Sequence, residues 1–220
     1  MHKAIFFTIA FLGGLFSLQA QNLHLQVGSS NQDDFFVKAG LQGSFGERWN
    51  LGVEGQWSQY NYRFIGAKVV PAGNASWVGV SASYKAYKSD ALHLDFYLRP
   101  RLRFISFAED IEPNRSTSLE IDPALILTMP LGDRLQIQSG VILKTIYELS
   151  PEPLLEQQLS SIILLGFNYA PTDRLAISLQ GQAGPASGAG GDSMKFYSFL
   201  QVGLAYSFGE RSVLSSLMLY

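Results

Sequence analysis

Residues Lys195–Phe208, KFYSFLQVGLAYSF, alternate with a period of two. Phe196, Leu200, Val202, Leu204, Tyr206 and Phe208 fall on one face, with Ser198 the polar member among them. Lys195, Gln201, Gly203, Ala205 and Ser207 fall on the other, together with Tyr197 and Phe199. A period of two belongs to a strand and not to a helix. The run is also far longer than the five or six residues usual for a strand in water. One apolar face, a smaller and more polar opposite face and an aromatic at the end describe a strand with lipid on one side and a barrel interior on the other.

The rest of the chain repeats this design. Short connections built on an acid and usually an Arg (Gly46-Glu47-Arg48, Ser89-Asp90, Gly132-Asp133-Arg134, Thr172-Asp173-Arg174) alternate with longer ones rich in Pro, Gly, Asn and Ser. The longer ones are Ser29–Asp33, Ile65–Asn74, Ala108–Ser116, Ser150–Gln157 and Pro185–Asp192. Between them lie about ten strands, near 22–29, 34–45, 48–64, 75–88, 91–107, 117–131, 134–149, 158–170, 174–184 and 194–208. An even count returns both ends of the barrel to the side of the short turns. The expected fold is all-β, a transmembrane antiparallel up-and-down β-barrel over residues 21–208, with 209–220 as a periplasmic tail.

The faces read strand by strand. Leu92, Leu94, Phe96, Leu98, Leu102 and Phe104 alternate with His93, Asp95, Tyr97, Arg99, Arg101 and Arg103. Leu119, Ile121, Leu125, Leu127 and Met129 alternate with Glu120, Asp122, Ala124 and Thr128. Leu135, Ile137, Val141, Leu143 and Tyr147 alternate with Gln136, Gln138, Gly140, Lys144 and Glu148. A soluble β-sandwich would put the apolar face in its core. Strand length, alternating connections and the amino terminus point instead to the barrel.

That terminus, MHKAIFFTIAFLGGLFSLQA, has Lys3 before an apolar run and then a small residue, Ala20. It is the pattern of a Sec-type signal peptide over residues 1–20, cleaved near Ala20 to leave Gln21 first. The chain of 220 residues has no Cys, which excludes disulfides and thiolate metal sites. A formal charge of −2 without a Lys/Arg run argues against a nucleic-acid partner. No cofactor motif is present either: the glycines of PASGAGGD lack the strand–helix setting of a phosphate loop.

The densest chemistry is on the inward face of the fifth strand. Pairing it with the sixth brings Arg99, Arg101 and Arg103 opposite or diagonal to Glu120 and Asp122, and the seventh strand adds Lys144. Lys38, Lys85, Lys195, Glu54 and Glu148 contribute charge on other inward faces. Such charges satisfy one another as a polar filling of a narrow barrel. The alternative is a constriction that selects small polar or anionic solutes. His24 and His93 are the histidines after the leader, both placed near the short-turn ends of their strands. His93 shares a face with Asp95, with Ser81 or Ser83 on the preceding strand as the nearest hydroxyls. No spacing of His or carboxylates matches a metal site. Trp49, Trp57 and Trp77 read as girdle residues, with an inward position open for Trp77.

The segment ending at Tyr206 and Phe208 resembles the carboxy-terminal strand of Gram-negative outer-membrane barrels, whose last residue is typically Phe. In those families that strand is the signal read by the barrel-assembly machinery. The resemblance extends from Leu23 to Phe208, and Gln21 after the leader is similar to Bacteroidetes barrels. It implies an outer-membrane location among outer-membrane lipids. The tail 209–220 departs from the pattern; Val213, Leu214, Leu217, Met218 and Tyr220 suit a short amphipathic helix and equally a strand, as a rim-packed or frayed terminus or as a segment docking a periplasmic or membrane partner. Some barrels of this kind are lipid- or peptide-modifying enzymes with His near the outer rim, but here both histidines fall at the other end. The reading that follows is a non-enzymatic barrel with a plugged or narrow charged lumen, in a structural or assembly-subunit role.

Overall fold

The computed structural model describes residues 20–30, 35–65, 68–107, 115–150, 158–187, 194–209 and 213–216. Among them ten strands form a closed barrel. They are β1 (Ala20–Ser30), β2 (Phe35–Phe45), β3 (Trp49–Ile65), β4 (Lys68–Lys88) and β5 (His93–Phe107), then β6 (Arg115–Pro130), β7 (Leu135–Ser150), β8 (Gln158–Tyr169), β9 (Leu175–Ser187) and β10 (Met194–Ser207). Each pairs antiparallel with its neighbours in sequence, and β1 closes the ring on β10 from Asn22↔Ser207 to Ser30↔Phe199. Closure leaves no unpaired edge, as hydrocarbon requires.

The period of two becomes inside and outside. Leu23, Leu25, Val27, Phe96, Leu98, Leu102, Phe104, Val202 and Leu204 are exposed, while Asn22, His24, Gln26, Asp95, Arg99, Arg101 and Arg103 are buried. An exterior this apolar around an interior this polar is stable only in lipid. Aromatic belts mark its two edges. Trp49 and Tyr84 meet with tilted rings, centroids 4.9 Å apart, near the short turns, and Trp57 lies exposed further along β3. The Trp49-to-Trp57 interval is about 27 Å along a strand, or roughly 20 Å of depth at a tilt near 40°.

The short turns follow from their residues. Gly46 and Gly132 adopt φ of 65° and 86°, which favours glycine. The other two use hydroxyls: the backbone N–H of Leu175 donates to Thr172 Oγ1 at 3.1 Å, and that of Leu92 to Ser89 Oγ at 3.1 Å. At the opposite end, the expected long connection Ile65–Asn74 is corrected. β4 begins at Lys68 and pairs with β3 from Ile65↔Lys68 through Gln59↔Asn74. Loop-type residues Pro71, Gly73 and Asn74 are carried in a strand because the facing segment, Gln59–Ile65, is rich in strand formers. The remaining long connections lie largely outside the described residues, as do residues 1–19 of the expected signal peptide 1–20 and residues 210–212 and 217–220 of the tail.

Two of the prolines within strands, Pro100 and Pro123, interrupt the ladders next to the charged faces of β5 and β6. Ladder pairing between β4 and β5 skips from Gly79↔Arg101 to Ala82↔Leu98 beside Pro100, and that between β6 and β7 skips from Ile121↔Thr145 to Ala124↔Ile142 beside Pro123. A proline has no N–H to donate, so these rungs are missing for a covalent reason.

Residues Val213–Ser216 form one helical turn, α1. Val213 and Leu214 are buried against Ala170, Ala176 and Ala205 at the short-turn mouth. The Val213 N–H donates to the Asp173 carbonyl at 2.8 Å, and Gln136 Nε2 donates to the Leu214 carbonyl at 3.4 Å. Of the helix and the strand that the tail sequence allowed, residues 213–216 take the helix.

Candidate functional site: a charged cluster across the lumen

β5 and β6 supply the centre of the site. Their register places Arg99 opposite Asp122, Arg101 opposite Glu120 and Arg103 opposite Ser118. Arg101 spans both acids, with Nε 2.6 Å from Glu120 Oε2 and Nη2 2.7 Å from Asp122 Oδ2. Arg99 Nη2 is 3.3 Å from the same Asp122 oxygen. Arg103 Nη1 is 3.0 Å from Glu120 Oε1, and Lys144 Nζ, from β7, is 3.4 Å from Glu120 Oε2. The six residues expected to cluster therefore meet.

The cluster also extends across the barrel, beyond what alternation alone indicates. Glu54 on β3 pairs with Arg99 Nη1 at 3.3 Å and with Lys38 Nζ, from β2, at 3.0 Å. His24 lies beside them: its Nε2 is 4.0 Å from Glu54 Oε2, and its Nδ1 is 3.0 Å from Gln42 Nε2. Trp77 is buried inside and is not a girdle residue. Its ring lies 4.8 Å from the Arg101 guanidinium, 5.8 Å from that of Arg99 and 5.9 Å from Lys38 Nζ. A tryptophan face is the best aromatic partner for cations, so it suits a position among three of them.

One ladder rung explains how such large side chains fit. Successive pairings run His24↔Gly40, Gly40↔Glu54, Glu54↔Gly79, Gly79↔Arg101 and Arg101↔Glu120. Glycine separates His24 from Glu54, and glycine separates Glu54 from Arg101. A Cβ on Gly79 would meet Arg101 Cβ at 2.6 Å and the Pro100 carbonyl at 2.8 Å, and one on Gly40 would strike the His24 ring. Alternating small and large residues is how a small barrel fills its taper.

Other walls of the lumen are different. Tyr97, Ala124, Ile126, Ile142, Ile162 and Leu164 make an apolar wall along β5–β8, with Tyr197 packed against it. Phe36 and Phe199 stack at 4.9 Å across the barrel seam. Gln180 and Gln201 hydrogen-bond to each other on β9 and β10. Towards the short turns Ser44 Oγ donates to Asn50 Oδ1 at 2.7 Å, and Asn50 Nδ2 donates to Ser83 Oγ at 3.2 Å. Ser83 is thus engaged by Asn50, while His93 sits opposite Thr128 and Lys88 in the ladders. The space left beside the charges is a cavity of about 50 Å³.

The proposed insertion signal lies on the outer surface. Tyr206 and Phe208 are both exposed and meet edge to face at 5.1 Å, next to the closing β1–β10 seam.

Among solved structures, the chain is similar to the outer membrane protease OmpT from Escherichia coli, with 8% sequence identity, 87% of this chain and 98% of that chain covered, and a TM-score of 0.51. It is likewise similar to the beta domain of the Bordetella autotransporter BrkA, with 10% identity, 86% and 97% covered, and a TM-score of 0.52. No family model and no curated protein matches the sequence. One barrel design hosts many activities, so likeness at this identity speaks for fold alone. The chain has the fold of a Gram-negative outer-membrane β-barrel.

Proposed function

We propose that this protein is a non-enzymatic outer-membrane barrel whose own side chains close its lumen, serving in the cell envelope as a structural component or as a subunit of a larger assembly. The observation that carries this reading is the charged cluster. Its ion pairs join β2, β3, β5, β6 and β7 across the interior, and the space beside them amounts to about 50 Å³. That is room for a few waters. α1 packs Val213 and Leu214 against Ala170, Ala176 and Ala205 at the short-turn end.

A filled lumen leaves the outer surface, the loops and the tail as the parts that meet partners. Export by a signal peptide and insertion by the barrel-assembly machinery through Tyr206 and Phe208 complete the reading. OmpT is a protease; against a hydrolytic reading here, among the described residues His24 is held by Gln42 beside Glu54, while Ser83 is engaged by Asn50 and pairs with Tyr97, four residues along β5 from His93. The test is solute flux into liposomes carrying refolded protein. Exclusion of small sugars and amino acids supports the closed lumen, and swelling at rates typical of porins overturns it in favour of a narrow passive channel.

A further inference from the structure

The short turns carry their charges in one order. In three of them an Arg directly before the next strand follows an acid: Glu47-Arg48, Asp133-Arg134 and Asp173-Arg174. In the fourth, Lys88 ends β4 and Asp90 follows two residues later. Every cation thus lies at or beside a strand end, and every acid lies one or two residues further out. All of these side chains are exposed. Turn chemistry accounts for acids at the tips. It does not call for a cation at each strand end, on the bilayer side of its acid.

The turn between β2 and β3 shows where such a cation points. Arg48 Nη1 donates to Tyr84 Oη at 3.0 Å, and the Tyr84 ring meets that of Trp49 at 4.9 Å. Exposed Trp and Tyr at a barrel edge sit at the level of the lipid headgroups, so the guanidinium is held at that level too. One of its five N–H donors goes to Tyr84, and a guanidinium can serve several acceptors at once. A register shift between Lys85 and Tyr87 then brings Tyr87 opposite Leu94, where it is exposed on the same belt. Re-aiming a side chain is a usual effect of a bulge.

We propose that the short-turn rim binds zwitterionic phosphoethanolamine lipids by their headgroups, with the Glu47-Arg48 turn as its best-formed site. Arg48 takes the phosphate, Glu47 takes the ammonium, and Trp49 with Tyr84 lies beside the glycerol. In such a lipid the phosphate is joined to the glycerol and the ammonium lies further out, the same order as cation and acid on each turn. A guanidinium presents planar paired donors to a phosphate. A primary ammonium brings three donors to a carboxylate. A quaternary ammonium brings none, and an anionic headgroup leaves the acid without a cation. Neighbouring turns are two strand spacings apart, about 10 Å, so each offers a site of its own.

The inference rests on the barrel lying in a bilayer and not on whether its lumen conducts, so its test is a lipid-binding experiment. Refolded full-length protein is placed in nanodiscs holding equal parts of phosphatidylethanolamine, phosphatidylcholine and phosphatidylglycerol. The lipids retained on release into detergent are then counted by native mass spectrometry, with the gel shift as proof of folding. The expected result is retention of phosphatidylethanolamine about fivefold over either of the others, the size of one charge-assisted contact. Arg48→Gln should remove one lipid from the retained set. Glu47→Gln with Asp90→Asn, Asp133→Asn and Asp173→Asn should level the three lipids. If that fourfold variant does not refold, Glu47→Gln alone should lower the phosphatidylethanolamine count by one. Equal retention of the three lipids by wild type would overturn the assignment. So would a preference for phosphatidylglycerol, which would make the rim a plain cationic surface, or unchanged retention in both Arg48→Gln and Glu47→Gln.

Discussion

Arg101 and Glu120 face each other directly across the β5–β6 ladder, Nε to Oε2 at 2.6 Å, and both are at least nine-tenths buried. Glu120 also takes Arg103 and Lys144, while Arg101 reaches on to Asp122. Removing one member therefore strands several others. Glu120→Gln should destabilise the refolded barrel by about 3–5 kcal/mol, the usual cost of breaking a buried pair. Arg101→Met with Glu120→Met should cost less than the sum of the single changes, since both charges leave together. Urea unfolding followed by intrinsic fluorescence measures both, and a fully additive double variant would show the two residues to be uncoupled.

Trp77 is the aromatic floor of the cluster. Trp77→Phe keeps a ring under Arg101 and should lose only part of the stability, whereas Trp77→Leu should lose about 2 kcal/mol more, from the cation–ring contacts of Arg101, Arg99 and Lys38. Equal stability of the two variants would mean that Trp77 contributes bulk alone. The same unfolding assay decides.

Gly79 and Gly46 separate crowding from backbone conformation. Gly79→Ala places a methyl against Arg101 Cβ and the Pro100 carbonyl, and should cost about 1–3 kcal/mol by overpacking. Gly46 has φ of 65° with open space around it, so Gly46→Ala should cost about 1 kcal/mol, from conformation alone. The heat-modifiable gel shift, read across temperature, ranks the two, and the reverse order would contradict the rung described above.

Phe208 is exposed and beside the closing seam, where it adds little to packing. Phe208→Ala should lower the amount of folded protein in the outer membrane severalfold while refolding in detergent proceeds as in wild type. Equal yields in cells would assign the insertion signal elsewhere in the chain.

Much of the architecture was legible because alternation is local. Inward and outward residues of β5, β6 and β10 follow from position parity, and the acid-and-Arg short turns mark every second reversal. Which inward charges meet is not local. Arg101 with Glu120 could be inferred because one hairpin joins their strands, whereas Glu54 meets Arg99 over the intervening strand β4, between strands that are not neighbours in the sheet. The same limit applies to His24: counted along β1 it lies near the short-turn end, yet barrel stagger places it on the rung of Glu54 and Arg101. Ile126, Ile142 and Leu164 break the polar-inside rule, and their signal was an apolar residue in inward phase. Pro71, Gly73 and Asn74 misled because turn chemistry is a tendency that a well-paired hairpin can override.

The central claim is that the charged cluster closes the lumen. Single-channel recording in a planar bilayer tests it most directly, with the gel shift as proof that the inserted protein is folded. The account predicts no discrete steps from wild-type protein. Reproducible unitary conductance from verified folded barrels would contradict it, and would make the Arg99–Arg103 ladder a selectivity filter instead of a plug.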